Sequence, residues 1–173
     1  MIPLKDIGGI IAFAGIGRNS LVLDLGTGSG GLALFLAHIA KKVVSYDIND
    51  EHIRIAEGNA KRLKIRNLKV KKKDACRGFD EKDADLVTID IPNPWDAIKA
   101  AQNALKLGGF LVSYSPTLLQ SAEFVNRIGD NPSFIHLKTV ELIEREWVIK
   151  GRSVRPSSNV LFSGFLSFCR RIR

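Results

Sequence analysis

Cysteine is scarce in this chain of 173 residues: Cys76 and Cys169 are the only two. Two thiols so far apart frame neither a disulfide scaffold nor a metal site, and they read as small packing residues. Histidine is scarce as well. His38, His52 and His136 stand isolated in sequence and read as structural, so no metal is expected. No apolar run approaches the roughly 20 residues of a membrane-spanning helix. The start, Met1-Ile2-Pro3-Leu4-Lys5-Asp6, has no charged region followed by an apolar leader. No membrane association and a cytoplasmic location are the expectation. Acidic residues number 18 against 26 Lys plus Arg, a formal net charge of +8. That balance favours an anionic partner such as nucleic acid, although a lysine-rich surface alone would produce it too.

What is present is a chain of ordinary globular composition, 45% hydrophobic and 25% charged, without repeats or low-complexity segments. Its length suits one domain over 1–173. Apolar β-type runs alternate with helical patterns, which argues for βα units around a parallel sheet. Lys5 to about Phe13 reads as a leading helix, Leu21–Leu25 as the first strand, Gly30–Ile39 as a helix and Lys42–Asp47 as the second strand. Asn49-Asp50-Glu51 can cap a helix that runs to about Leu63. Leu68–Lys72 reads as a short basic edge strand and Ala84–Ile91 as a fourth strand. Trp95–Leu105 reads as a helix broken by Gly108-Gly109, followed by a strand over Phe110–Tyr114 and a helix over Leu118–Ile128. After Pro132 the helical pattern stops. His136–Ile149 and Val160–Phe168 are β-rich and flank a loop over Gly151–Ser158, which suggests an antiparallel pair at one sheet edge.

The richest local signal is Leu21-Val22-Leu23-Asp24-Leu25-Gly26-Thr27-Gly28-Ser29-Gly30, followed by Asp47 at the end of the second strand. Strand, glycine loop, helix and a second strand ending in a carboxylate form the nucleotide-side half of a doubly wound α/β domain. The spacing G-x-G-x-G differs from the dinucleotide fingerprint G-x-G-x-x-G. Asp24 stands two positions before the first glycine. A carboxylate there repels a pyrophosphate but suits a cofactor that carries an ammonium and a sulfonium. S-adenosyl-L-methionine is such a cofactor, with Asp47 accepting from its ribose hydroxyls. The loop residues Gly26, Thr27, Gly28, Ser29 and Gly30, together with Ile48, complete the expected cradle. A tight βα turn with packing glycines is the bland reading of the same loop.

A second signal ends the fourth strand: Asp90-Ile91-Pro92-Asn93-Pro94-Trp95. Ligands of open α/β sheets sit at the carboxyl ends of strands near the switch point. A charge inside an otherwise apolar run is costly unless partnered or functional. The prolines stiffen the turn and remove backbone donors, leaving carbonyls outward. Carboxylate, carbonyls and the Trp95 face suit a flat base with an amino group. A proline-rich turn with a core tryptophan is the alternative.

This turn resembles the D-L-P-x-P-W motif of the tRNA adenine-N1 methyltransferases that modify the T-loop. Other segments agree in order. Lys5-Asp6-Ile7-Gly8 resembles the family's opening segment, and Leu111-Val112-Ser113-Tyr114-Ser115-Pro116 with Gln120 resembles its V-S-Y-S-P…Q segment. Arg145-Glu146-Trp147 resembles its R-E-W/Y strand, and Val154-Arg155-Pro156 with Gly164–Phe168 resembles its C-terminal end. The resemblance implies a class I methyltransferase (Rossmann-like) α/β fold. Its sheet is seven-stranded and mostly parallel, with an antiparallel C-terminal strand pair and helices on both faces. It further implies Asp74, beside Ala75, as the group that reads the cofactor's adenine, where a solvated loop aspartate is the alternative. The acceptor implied is N1 of a tRNA adenine, turned out of the RNA fold. Asp90 is the candidate carboxylate for the exocyclic amine, and it also borders the cofactor. Tyr114 is a second candidate catalytic group. Pro92, Pro94, Trp95, Gln120 and Arg155 are candidate substrate contacts. Tyr114 and Trp95 could equally belong to the core.

Two departures stand out. The opening segment falls at Lys5, so the family's small N-terminal β-domain is expected to be absent, and the histidine near its last strand falls at Phe162. A separate protein supplying that domain, and a homo-oligomer (tetramer or dimer), are the partners this implies beside tRNA. A corrin-precursor type of small-molecule methyltransferase and a noncatalytic RNA-binding subunit on the same fold remain as alternatives. The run Lys61, Arg62, Lys64, Arg66, Lys69, Lys71, Lys72 and Lys73 contains no acid. It reads either as a phosphate-contacting face or as a solvated edge that blocks strand addition.

Overall fold

A computed structural model describes residues 2–157 and 162–173. The first helix, α1 (Leu4–Ala14), leads into β1 (Leu21–Leu25), α2 (Gly31–Ala37), β2 (Lys42–Asp47), α3 (Asp50–Arg62) and β3 (Leu68–Lys72). The second half runs β4 (Ala84–Ile89), α4 (Ile98–Ala104), β5 (Leu105–Ser115), α5 (Leu118–Gly129), β6 (Phe134–Val140), β7 (Trp147–Lys150), β8 (Ser153–Pro156) and β9 (Phe165–Arg171). Short 3-10 turns at Ala75–Arg77 and Pro94–Ala97 follow β3 and β4.

Seven strands form one sheet in the order β3-β2-β1-β4-β5-β9-β6. The pairs β3–β2, β2–β1, β1–β4 and β4–β5 are parallel, and β9 runs antiparallel to both β5 and β6. The chain therefore winds one way from β1 to β3 and the other way from β4 onward. The switch point lies between β1 and β4, where open α/β sheets bind ligands.

Burial explains the strands. In β1, every residue after Leu21 is buried, because helices cover both sheet faces. One core cluster gathers Leu23, Val44, Val87, Leu111 and Phe124; the other gathers Ile7, Val22, Leu36, Leu86 and Phe168. Each fully buried aliphatic side chain contributes roughly 1.5–3 kcal/mol. Asn49 caps α3 as expected: its side chain accepts from Glu51 N at 2.8 Å, and the basic pair Lys61 and Arg62 ends the helix.

Three local expectations are corrected. Gly108 and Gly109 do not end a helix but lie inside β5, which starts at Leu105 opposite Ala84 and shifts register before Leu86. A side chain on Gly109 would meet the Ala84 carbonyl, so glycine allows this irregular pairing. The β-rich stretch 136–149 is not one strand. It ends at Val140, and Trp147 opens a separate two-stranded ribbon, β7–β8, that turns at Gly151 (φ 59°). The 151–158 loop thus contains β8. Finally, the last strand starts at Phe165; Val160 and Leu161 of the expected strand, with Ser158 and Asn159, lie outside the described residues. No helix among the described residues is long and apolar enough to cross a membrane.

Candidate active site

The switch point brings the two sequence signals together. Asp90, just past β4, donates its backbone N–H to the Leu25 carbonyl at 2.8 Å. Gly26, just past β1, runs beneath it with φ 99°, and a β-carbon there would stand less than 3.0 Å from the Asp90 carbonyl oxygen. Only glycine fits. The loop is held from the other side by β2, because Gly26 N and Thr27 N both donate to the Tyr46 carbonyl, at 3.0 and 3.3 Å. Gly30 (φ 84°) packs so closely on α3 that a β-carbon would press on Ala56.

Two compartments share Gly26. The smaller, about 150 Å³, lies between Asp90, the loop Thr27–Ser29 and Ile2. The larger, about 270 Å³, lies between Asp47, Ile48, Asp74, Cys76 and the Ile91–Asn93 turn. Asp47 already accepts from Asn49 N (2.9 Å), Gly28 N (3.1 Å) and His52 Nδ1 (3.1 Å). Burial alone would raise its pKa, but these donors hold it below the ordinary carboxylate range. It is an ionised acceptor facing the larger compartment. Asp74 caps the turn Ala75–Arg77, accepting from Cys76 N at 3.1 Å, and pairs with Arg77 at 3.2 Å. Ala75 is fully buried beneath it.

Asp24 takes a different position from the one expected. It is 1% exposed and lines neither compartment. Ser45 Oγ donates to one of its oxygens at 2.6 Å and Thr88 Oγ1 to the other at 2.7 Å. Ser45 directs its proton at Asp24, so Thr27 donates to Ser45, at 2.6 Å. Asp24 thus anchors the glycine loop through a relay of hydroxyls from Thr27. Burial pushes its pKa up to about 6, against the two hydroxyl bonds that lower it; Asp90 and Asp47 add to the rise.

Asp90 differs. Its carboxylate has no hydrogen bond or ion pair among the described residues, and burial raises its pKa. The N-terminal ammonium opposes that rise, and Asp90 borders the smaller compartment. The carbonyls of the proline turn do not point freely outward. Gln120 Nε2, from α5, donates to those of Ile91 (3.4 Å) and Pro92. The Tyr114 hydroxyl donates to the Ser163 carbonyl. Ser163 Oγ in turn donates to the fully buried Asp6 at 2.7 Å, and Lys5 pairs with Asp6 at 3.0 Å. The opening segment and Ser163, just before β9, are thereby tied beside Tyr114.

Other candidates lie apart. Pro94 is buried, and Trp95 packs on the core and lines a separate groove with Lys99 and Arg127. Arg155 sits exposed on β8, on neither compartment. Sequence reasoning missed His52, which an i, i+5 spacing from Asp47 would have flagged, and Cys76, Asn93 and Asp96, all next to motif residues. Among the described residues no cluster could hold a metal ion.

The basic run divides. Lys71 pairs with Asp80 (2.9 Å) and Glu81 (2.8 Å), Lys72 with Asp50 (2.6 Å), and Lys73 with Asp80. Glu81 also receives the Tyr46 hydroxyl, so this network pins the segment after Asp74 to β2. Lys61, Lys64, Arg66 and Lys69 have no such partners among the described residues.

The family model of the tRNA methyltransferase complex GCD14 subunit matches residues 1–162. The tRNA (adenine(57)-N(1)/adenine(58)-N(1))-methyltransferase TrmI of Methanocaldococcus jannaschii is 32% identical over 96% of this chain and 70% of its own length. A SAM-dependent O-methyltransferase structure from Thermotoga maritima superposes with a TM-score of 0.95 at 27% identity, covering 100% of this chain and 67% of that one. The tRNA (m1A58) methyltransferase TrmI of Aquifex aeolicus superposes with a TM-score of 0.93 at 23% identity, over 100% of this chain and 70% of its own.

Proposed function

The chain belongs to the family of the tRNA methyltransferase complex GCD14 subunit, and on that premise we propose that it is a cytoplasmic S-adenosyl-L-methionine-dependent enzyme that methylates N1 of an adenine in tRNA. One observation carries the proposal: Asp90, a half-buried carboxylate with no hydrogen bond or ion pair among the described residues, stands at the switch point directly above the glycine loop.

The donor set fits the cofactor. Ionised Asp47 suits a ribose cis-diol. Asp74, with Ile48 and Cys76 along the larger compartment, suits an adenine with its exocyclic amine. The backbone of Gly26–Ser29 and Asp90 surrounds the smaller compartment, which suits the methionine portion. When bound, the cofactor supplies a sulfonium methyl for the N1 lone pair of the acceptor. The chain's own part is to hold the base and to manage charge. Asp90 accepts from the base's exocyclic amine, opposes the positive charge that develops across the N1–C6–N6 unit, and can take the proton released there. Gln120 and the two prolines hold the turn that aims it, so positioning contributes much of the rate. Tyr114 shapes the site by fixing Ser163 rather than by giving up its proton. The chain acts as one domain over 1–173 and within a homo-oligomer, with tRNA as its partner and further RNA contacts from another subunit.

The test is transfer of a labelled methyl group to unmodified tRNA transcripts. Label in adenine supports the proposal. Cofactor binding without label in RNA overturns it.

A further inference from the structure

Arg66 and Lys69 of the basic run, without ion pairs among the described residues, meet two more cations at the far end of the sheet. Lys41 comes from the α2–β2 connection and Lys42 opens β2, while Arg66 precedes β3 and Lys69 lies within it. Together they line a surface depression of about 320 Å³. All four are exposed, no carboxylate lines the depression, and none of the four makes an ion pair among the described residues.

The two segments are clamped. Asn67 Nδ2 donates to the carbonyls of Ala37 (2.7 Å) and Ala40 (2.9 Å), and Val43 N donates to the Asn67 carbonyl at 2.9 Å. Lys41 N and Lys42 N both donate to the Ser20 carbonyl, at 3.0 and 3.3 Å. Four like charges are therefore held together by a rigid backbone without an ion-pair partner among the described residues, while Lys71, Lys72 and Lys73 of the same run are neutralised within the fold. Protection of a sheet edge accounts for lysines on β3. It does not account for Lys41, Lys42 or Arg66, which lie off that strand. Uncompensated charge in a fixed concavity suits a polyanion, whose condensed counterions are released on association.

We propose that the Lys41–Lys42–Arg66–Lys69 depression contacts the phosphodiester backbone of the substrate RNA, an inference that rests on the tRNA reading above. Lys42 opens β2 and Asp47 closes it, so the depression lies about 17 Å from the cofactor site at a rise of roughly 3.3 Å per residue. It is too distant to be a cofactor subsite, and well within the span of a tRNA whose target base enters at the other end of the sheet. Its partners are phosphates: they set affinity and register and carry no base specificity.

The experiment compares the wild type with a combined Lys41→Ala, Lys42→Ala, Arg66→Ala and Lys69→Ala variant. tRNA binding is titrated directly over a range of salt concentrations, separately from methylation. The expected result is a plot of log affinity against log salt that is shallower by about 3 to 4, near one for each cation removed. Affinity at low salt falls about tenfold or more, and S-adenosylmethionine affinity is unchanged. Should the combined variant not fold, the Lys41/Lys42 and Arg66/Lys69 pairs made separately each remove about half of that slope. Unchanged slope and affinity in variants of a wild type that binds tRNA overturn this surface alone. A wild type that neither binds nor methylates tRNA overturns the tRNA reading, and the surface with it. Saturable binding of inorganic phosphate that the variant loses, with its RNA slope intact, identifies a free-anion site and also overturns the proposal.

Discussion

Gly26 passes directly beneath the Asp90 carbonyl, joining the ends of β1 and β4 at the switch point of the sheet. A methyl group on Gly26 has no space there, and φ 99° is itself unfavourable for any side chain. Gly26→Ala must therefore push the loop away from Asp90, at a cost of about 1–3 kcal/mol. Calorimetric titration with S-adenosylmethionine is expected to show affinity reduced about tenfold or more. Wild-type affinity would mean that the loop does not hold the cofactor.

Asp90 and Tyr114 differ in what their side chains already do. Asp90 has no partner among the described residues, whereas the Tyr114 hydroxyl is engaged with Ser163. Asp90→Ala is expected to lower kcat about 100-fold or more at saturating S-adenosylmethionine, beyond any loss of cofactor affinity at this border of its compartment. Tyr114→Phe is expected to lower kcat less than about tenfold. Single-turnover assays on tRNA separate the two, and a larger loss in Tyr114→Phe would return that hydroxyl to the chemistry.

Asp24 makes a pH prediction. Its carboxyl is pushed from 3.8 to about 6 in the folded protein, chiefly by burial. Between those values the folded state holds the proton that the unfolded state releases. This group's contribution to stability therefore declines as pH rises from about 4 to above 6, by at most about 3 kcal/mol. Asp47 and Glu81 shift downward and act in the opposite sense, losing stability on acidification. Subtracting an Asp24→Asn variant isolates the contribution of this carboxyl: wild type minus variant is expected to be more favourable at pH 4 than at pH 7 in thermal unfolding. A difference independent of pH would contradict the buried-acid account.

The β7–β8 ribbon exposes one wholly apolar face. Trp147 stands opposite Pro156 and Ile149 opposite Val154, and Trp147 and Ile149 are 58% and 74% exposed. A lone two-stranded ribbon is marginal in water. Light scattering is expected to give a multimeric mass for the wild type and a smaller one for Ile149→Asp. A monomeric wild type would refute the oligomer.

Local signals in the sequence locate much of the candidate site. The glycine loop, Asp47, Asp74 and Asp90 each sit at a strand end that the βα alternation locates, and the parallel order follows from the same alternation. What escapes depends on distant partners. Asp24 reads as a ligand for a cation until Ser45 and Thr88, from the two flanking strands, take both of its oxygens. Gln120 reads as a substrate contact, but α5 delivers it to the Ile91–Pro92 carbonyls. Gly108-Gly109 signals a break in either helix or strand, and only the pairing of Leu105 with Ala84 decides between them. The ribbon is hidden because its residues continue the β-rich composition of β6 without a strong breaker before Gly151.

The most direct measurement is nucleoside mass mapping of tRNA after incubation with the protein and S-adenosylmethionine. The account expects 1-methyladenosine as the new nucleoside, absent with Asp90→Ala. A methyl group on another base or atom, or on a small molecule with the RNA untouched, would contradict it.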